Sequence, residues 1–275
     1  MGSATLDIAL IQARIPADQT AALAHMRPLI VQAAMTGADL ILTPECSNLV
    51  EARADQRVHK VTSEDTDPFV QGVRQLAREF KTPVLVGSAI VTSGKEKAAN
   101  RSLFIDAEGE IAARYDKIHL FDADTPDGKS YRESNAFAPG EQAVVAKTAW
   151  ANLGLSICYD MRFAYLYRAL AKQGADMIAV PAAFTVPTGR AHWEVLLRAR
   201  AIETGAFVMA PAQGGLHEDG RTTYGHSLVA GPWGEVIARL DHDHPAILTA
   251  TLDFAEVARA RQALPQLRHD REFGL

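Results

Sequence analysis

Apolar residues recur along this chain at two spacings, one of strand type and one of helix type. Residues 6–12 form a short apolar run of strand length, and residues 20–36 repeat apolar positions at helical spacing. Gly37 predicts the C-cap of that helix, and residues 38–43, closed by Pro44, predict a second strand. A helix is predicted over 67–80 and a strand over 83–91. A turn at Ser93-Gly94-Lys95, a strand over 101–106, a turn at Glu108-Gly109 and a strand over 111–115 then read as a β-meander.

The second half echoes the first. A strand over 153–157 leads to a helix over 163–173, followed by Gly174-Ala175-Asp176-Met177-Ile178-Ala179-Val180-Pro181. The first half carries Gly37-Ala38-Asp39-Leu40-Ile41-Leu42-Thr43-Pro44, again after a strand and a helix. The echo predicts two βαβ halves related by pseudo-two-fold symmetry. A helix over 190–204 and strands over 206–211, 226–230, 235–240 and 247–252 complete the body. No linker-like segment intervenes, so residues 1–275 read as one domain. Few strands read as apolar on every position, which favours an α/β fold of two stacked sheets covered by helices. Eight regular βα units are absent, as is any G-x-G-x-x-G phosphate loop.

Composition narrows the classes. With 275 residues, 48% apolar, the chain can bury a substantial core; 28 Lys and Arg against 33 Asp and Glu give a formal charge of -5. That balance, without a basic cluster, points away from nucleic acid. Two cysteines, Cys46 and Cys158, make no disulfide framework, so a reducing, cytoplasmic setting is expected. Met1-Gly2-Ser3-Ala4-Thr5-Leu6 has no basic n-region, and Leu6 stands where myristoylation wants Ser or Thr. No apolar run approaches the roughly 18 residues of a membrane span, so no membrane partner is expected.

Three residues at strand ends carry candidate chemistry. Cys158 follows the strand over 153–157, at a turn into a helix where backbone N–H groups can favour a thiolate. Taken alone it reads first as a buried packing thiol. Glu45 follows the strand over 38–43; in the other Gly-Ala-Asp strand the matching residue is Ala182, so folding does not require an acid there. Its plainer reading is a solvated loop carboxylate. Lys117 ends the strand over 111–115, with a surface lysine neutralised by Asp116 as the alternative. Parallel α/β sheets gather functional groups beyond strand carboxyl ends. Thiol, carboxylate and ammonium together supply a nucleophile, a base and an oxyanion partner, but no spacing rule brings them into contact. A Cys-His pair using His119, His192 or His226 is not selected by spacing, and neither C-x-x-C nor H-E-x-x-H marks a zinc site. His192 reads as a helix-start packing or capping residue, and Cys46 as a packing residue.

Leu42-Thr43-Pro44-Glu45-Cys46, Tyr115-Asp116-Lys117-Ile118-His119-Leu120-Phe121-Asp122 and Ser156-Ile157-Cys158-Tyr159-Asp160-Met161-Arg162-Phe163 together resemble the carbon–nitrogen hydrolase (nitrilase) superfamily. The likeness spans nearly the whole chain, to Leu264-Pro265-Gln266-Leu267-Arg268. It implies a four-layer αββα sandwich and a Glu-Lys-Cys triad on Glu45, Lys117 and Cys158. It also implies a second glutamate, Glu133, that tunes or positions Lys117. The segment from Ala191-His192-Trp193-Glu194 to Glu203-Thr204, with Tyr224-Gly225-His226-Ser227, resembles the nitrilase-like amidases of deaminated glutathione. Lys117 to Asp122 and Pro232-Trp233-Gly234-Glu235-Val236 are shared with omega-amidases. Where many relatives have Pro-Glu after Arg-Phe, this chain has Ala164-Tyr165.

The resemblance implies hydrolysis of the terminal amide of a small carboxylate-bearing substrate to acid and ammonia through a Cys158 thioester, with no metal or organic cofactor. Tyr159, Phe184 and Thr185, just beyond strand ends, are expected to line the pocket. Arg162 is either a substrate-carboxylate anchor or one side of an internal ion pair. Omega-amidase, N-carbamoyl amide hydrolase and nitrilase activity are the alternatives within the class. A zinc hydrolase and a silent interaction module stand outside it. Relatives form dimers through helical faces, so a homodimer or higher homo-oligomer is expected, with residues 257–267 contributing.

Overall fold

The computed structural model describes residues 5–272 and 274. The expectations drawn from Met1-Gly2-Ser3-Ala4 lie outside the described residues. The first half runs β1 (Thr5–Gln12), α1 (Gln19–Met35), β2 (Leu40–Leu42), α2 (Ala54–Lys60), α3 (Pro68–Phe80), β3 (Val84–Thr92), β4 (Ala98–Ile105) and β5 (Ile111–Asp116). A hairpin of β6 (Asp122–Asp124) and β7 (Ser130–Arg132) follows, then β8 (Val144–Lys147). The second half runs β9 (Asn152–Leu155), α4 (Ala164–Lys172), β10 (Met177–Ala179), α5 (Val186–Thr204) and β11 (Phe207–Ala210). It continues through a hairpin of β12 (Gly214–Leu216) and β13 (Thr222–Tyr224) to β14 (Leu228–Ala230) and β15 (Val236–Arg239). Last come β16 (Ala246–Asp253) and α6 (Ala255–Ala263).

Two six-stranded sheets result, ordered β16-β1-β2-β3-β4-β5 and β8-β9-β10-β11-β14-β15. Each has a parallel trio at its heart, β1-β2-β3 or β9-β10-β11, with antiparallel strands on both sides. The two orders superpose element by element, which is the pseudo-two-fold symmetry of the repeated Gly-Ala-Asp segments. The reason for that tripeptide is visible twice. Gly37 and Gly174 hold φ of 86° and 89°, the left-handed conformation that ends a helix without a Cβ penalty. The aspartate after each then binds the neighbouring strand: Asp39 Oδ2 accepts the Asp7 N–H at 2.9 Å and Asp176 Oδ2 the Asn152 N–H at 3.5 Å.

Strand alternation sorts the core into layers. Leu6, Ile8 and Leu10 of β1, Leu40 and Leu42 of β2 and Leu85 of β3 face the second sheet, packing with Leu153, Leu155 and Met177. Ala9, Ile11, Ile41, Val84 and Val86 face the other way, onto α1 and α3. On the second sheet's outer side lie Leu166 and Leu170 of α4 and Trp193 and Leu197 of α5. The layers are therefore α, β, β, α. Gly87 marks how closely the halves approach: a Cβ there would lie 2.0 Å from the Thr43 carbonyl oxygen and 2.4 Å from the Pro181 side chain.

Several expectations need correcting. Four strands, β2, β10, β11 and β14, are buried at every position, because sheets sandwiched between a second sheet and helices have no wet face. α5 begins at Val186, with a proline in its first turn, so His192 lies inside the helix and does not start it. The elements α2, β6, β7, β8, β12, β13 and α6 were not expected from the pattern; α2, for one, buries no residue and so has no apolar stripe to read. Within residues 257–267, Val257 is buried against this chain's own core, and the Gln266 side chain and carbonyl bond Ile202 and Arg168.

Candidate active site

Three strand ends converge where the sheets meet. Glu45 lies just beyond β2, Lys117 directly follows β5, and Cys158 stands beyond β9 at the start of a 3-10 turn, Cys158–Arg162. Cys158 holds φ of 50°, a left-handed conformation that a non-glycine residue adopts at a cost of about 1–3 kcal/mol. Its N–H donates to the Pro181 carbonyl at 2.9 Å, which fixes the turn against the end of β10. Lys117 is held from both sides: its N–H donates to Asn100 O and its carbonyl accepts the Gly140 N–H, each at 2.9 Å. Only glycine fits at 140, where a Cβ would lie 2.0 Å from the Asp116 carbonyl oxygen.

Glu45, Lys117 and Cys158 are buried together. Lys117 Nζ donates to Glu45 Oε1 at 2.8 Å and to Glu133 Oε2 and Oε1 at 2.8 and 3.0 Å. Glu45 Oε1 also accepts from Asn100 Nδ2 at 3.1 Å, and Oε2 accepts the Ala183 N–H at 2.9 Å. Cys158 shares one cavity wall with Glu45, Lys117 and Ala183, and the Glu45 and Lys117 charges both act on its thiol. Glu133 Oε2 is anchored in turn by the Phe121 N–H at 2.6 Å. The surface-lysine alternative fails, since Asp116 is held by a two-bond contact with Arg101 at 2.6 and 2.9 Å.

The electrostatics follow from this enclosure. Burial, then the Glu45 charge, push the Cys158 thiol well above its ordinary value against the pull of Lys117. The resting sulfur is a thiol beside a carboxylate. Burial works against the Lys117 ammonium, but the Glu133 and Glu45 charges outweigh it and raise Lys117 well above its usual range. That side chain stays a cation.

A cavity of about 690 Å³ opens onto this cluster, with Glu45, Lys117, Glu133, Cys158 and Thr185 in its wall. A narrower recess on the other side of Cys158 is lined by Tyr159, Phe184 and Thr185, with Phe121 and Arg162. All three pocket residues read from the sequence therefore border the thiol. Arg162 forms no ion pair among the described residues. Its guanidinium sits 5.5 Å from the Phe184 ring centre and 5.8 Å from that of Tyr159, and bonds His192 Nδ1 at 3.2 Å. His119 and His226 are likewise engaged away from the thiol, with Asp160 and with the Tyr224 carbonyl. Among the described residues no group of three or more His, Cys, Asp or Glu is arranged to hold a metal ion, and no helix is long and apolar enough to cross a membrane.

The sequence model of the carbon–nitrogen hydrolase family matches residues 7–262. The chain belongs to that family. This carbon–nitrogen hydrolase is 42% identical over 240 residues to a deaminated glutathione amidase from Yersinia enterocolitica, covering 86% of this chain and 83% of the relative. It is 33% identical to an omega-amidase from Homo sapiens, covering 96% and 94%. Among solved structures, the C. elegans NitFhit protein superposes with a TM-score of 0.90 at 33% identity; 98% of this chain is covered, and 66% of that longer one. An amidase from Nesterenkonia sp. AN1, solved after Michael addition of acrylamide at its active-site cysteine, gives 0.78 at 29% identity over 95% and 98% of the two chains. The hydrolase thus acts on carbon–nitrogen bonds other than peptide bonds, in the nitrilase-like amidase branch.

Sequence reasoning missed the residue that ties the site together. Asp160 is fully buried and accepts four hydrogen bonds, from Tyr115 OH at 2.6 Å, the Ile157 N–H at 2.8 Å, the His119 N–H at 3.0 Å and His119 Nδ1 at 2.7 Å. It thereby fastens the Cys158 turn to the segment carrying Lys117. The His119 ring stacks on Phe163 at 3.6 Å, and its Nε2 bonds the Tyr165 hydroxyl, so the departure at Ala164-Tyr165 has a local role. Asn100 and the Ala183 N–H were missed too. A backbone donor leaves no mark in a sequence.

Proposed function

We propose that this hydrolase cleaves an amide of a small carboxylate-bearing molecule, of the deaminated glutathione kind, through a thioester on Cys158. The observation that carries the proposal is one buried lysine shared between Glu45 and Glu133, with the Cys158 thiol in the same cavity wall. Glu45 accepts the thiol proton as sulfur attacks the amide carbonyl carbon, and the carbonyl electron pair moves onto oxygen. The Lys117 ammonium and the Tyr159 N–H stabilise that oxyanion. The tetrahedral intermediate collapses with loss of the C–N bond, and Glu45 gives its proton to the departing nitrogen. Glu45 then deprotonates a water that attacks the thioester, and the thiolate leaves and recovers a proton.

Glu133 has a distinct task in this scheme. When Glu45 becomes neutral, Lys117 loses one of its two counter-charges; the two Glu133 contacts keep the ammonium paired and in place. No metal or organic cofactor enters the scheme. The 690 Å³ cavity lies within the roughly 300–1,000 Å³ typical of small-molecule sites, which leaves room for a peptide-like amide. A cytoplasmic, reducing setting, in which both free cysteines stay thiols, belongs to the same reading.

Exposure to a panel of amides, carbamoyl amino acids and nitriles, read by acid release and by the intact mass of the protein, tests it. An acyl adduct on Cys158 from the peptide-like amide is the expected result. Adducts only from short monoamides would favour the omega-amidase alternative, and turnover that persists in Cys158→Ala would overturn the mechanism. A homo-oligomer is part of the proposal, with exposed Val195 and Ile202 on α5 and Trp233 available for contact. A monomer at micromolar concentration in sedimentation would count against it.

A further inference from the structure

The cavity wall holds a cation with no ion-pair partner among the described residues. Arg57, on α2, lines the same space as Glu45, Lys117 and Cys158. Its Nη1 donates to the Glu51 and Ala52 carbonyls at 2.9 and 3.5 Å, and its guanidinium lies 5.6 Å from the centre of the Phe137 ring. Among the described residues no carboxylate lies within ion-pair distance of it. The nearby acids are already engaged: Glu51 by Arg53 and Lys60, at 3.0 and 2.9 Å, and Asp219 by Arg221 at 2.7 Å. Burial works against the Arg57 cation most, and the Arg221 charge adds to it, while the Cys46 and Glu51 charges act in its favour. A half-buried guanidinium in that wall keeps planar N–H donors beyond its two carbonyl contacts, beside a space large enough for a ligand.

We propose that Arg57 binds a second, distal carboxylate of the amide substrate, with Phe137 as the platform that sets the guanidinium plane. The assignment rests on the amide-hydrolase reading above and deepens it. The substrate class becomes an extended amide with an anionic group at the end remote from the Cys158 attack. Arg57 then determines specificity and takes no part in bond making.

The test uses two amides identical except at the end remote from the scissile bond, which is a carboxylate in one and a neutral carboxamide in the other. In the unaltered enzyme kcat/KM for the carboxylate form should exceed that for the neutral form by roughly ten- to a hundredfold, the worth of hydrogen bonds to a charged group. Arg57→Gln should collapse that ratio towards one, chiefly through KM of the carboxylate form. Arg57→Lys should restore part of it. A ratio that persists in Arg57→Gln, or an equal loss on both amides, overturns the assignment, because a structural role would lower both together. Equal turnover of the two amides by the unaltered enzyme also overturns it, while leaving the amide-hydrolase reading intact. Hydrolysis of neither, with no adduct on Cys158, overturns both.

Discussion

The two halves of this hydrolase share strand order, helix placement and even a tripeptide, yet they divide the chemistry. By strand register Cys158 stands five residues beyond Leu153, and Ala13 five beyond Ile8, each starting point paired with the first residue of its Gly-Ala-Asp strand. Glu45 occupies one Gly-Ala-Asp strand end and Ala182 the other. Each half therefore keeps one reactive residue and one alanine at equivalent places. Ala13 and Ala182 are both fully buried and make parallel bridges to the neighbouring residues Gln213 and Ala212. The lesson is that the strand ends are built to be buried and close, and that reactivity is an addition to them. Neither half holds a complete site, since Glu45 of the first takes its Ala183 N–H from the second.

Exchanging residues between the halves attacks this contrast most directly. Cys158→Ala should lower kcat by ~10⁴-fold or more, as removal of a nucleophile does. Adding Ala13→Cys to it should not restore turnover, because position 13 is fully buried and does not line the cavity that Glu45, Lys117 and Cys158 share; acyl-adduct mass spectrometry on the double variant checks this. Glu45→Gln keeps the size and the contact to Lys117 while removing the base. A fall in kcat of about 10²–10⁴-fold is expected, with the protein still folded by circular dichroism.

Weaker effects should come from the tie between segments. Asp160→Ala strands the Ile157 and His119 N–H groups and the Tyr115 hydroxyl, and should destabilise the fold by about 3–5 kcal/mol in chemical denaturation. The smallest effect concerns the β12–β13 hairpin, which has no counterpart in the first half. There burial, then the Arg221 charge, lower His217 to about 4. The unfolded chain takes up this proton near pH 6.5, while the folded one resists until about pH 4, so stability is complete above pH 6.5 and falls across that window. The loss reaches about 3 kcal/mol. His217→Gln should flatten the slope of stability against pH, and an unchanged slope would show that His217 is not its source.

Much of this was legible in the sequence, for reasons particular to each residue. β1, β2 and β3 announce themselves as short apolar runs bounded by turn residues, and α1 and α3 by buried positions at helical spacing. Glu45, Lys117 and Cys158 were readable as strand-end residues within a family pattern, and Glu133 through the same resemblance. Their contact was not, since it depends on how two sheets stack. Asp160 shows the limit. It sits two positions after the nucleophile, and Tyr115 two before Lys117, but no spacing rule joins residues 45 positions apart. The short elements α2, β6 and β7 escape because little of their surface is buried, and with α2 went Arg57.

The pairing of β1 with β16 carries a consequence for how the chain must be made. All eight residues of the first strand find their antiparallel partners in 246–253. During synthesis, β1 leaves the ribosome long before its outer neighbour exists, and its free edge stays open to other nascent chains until nearly the whole protein has emerged. The second sheet faces no such delay, because β8 precedes β9 and closes that edge in advance. Chaperone protection should therefore be needed at the N-terminal sheet, and aggregation during translation should begin there.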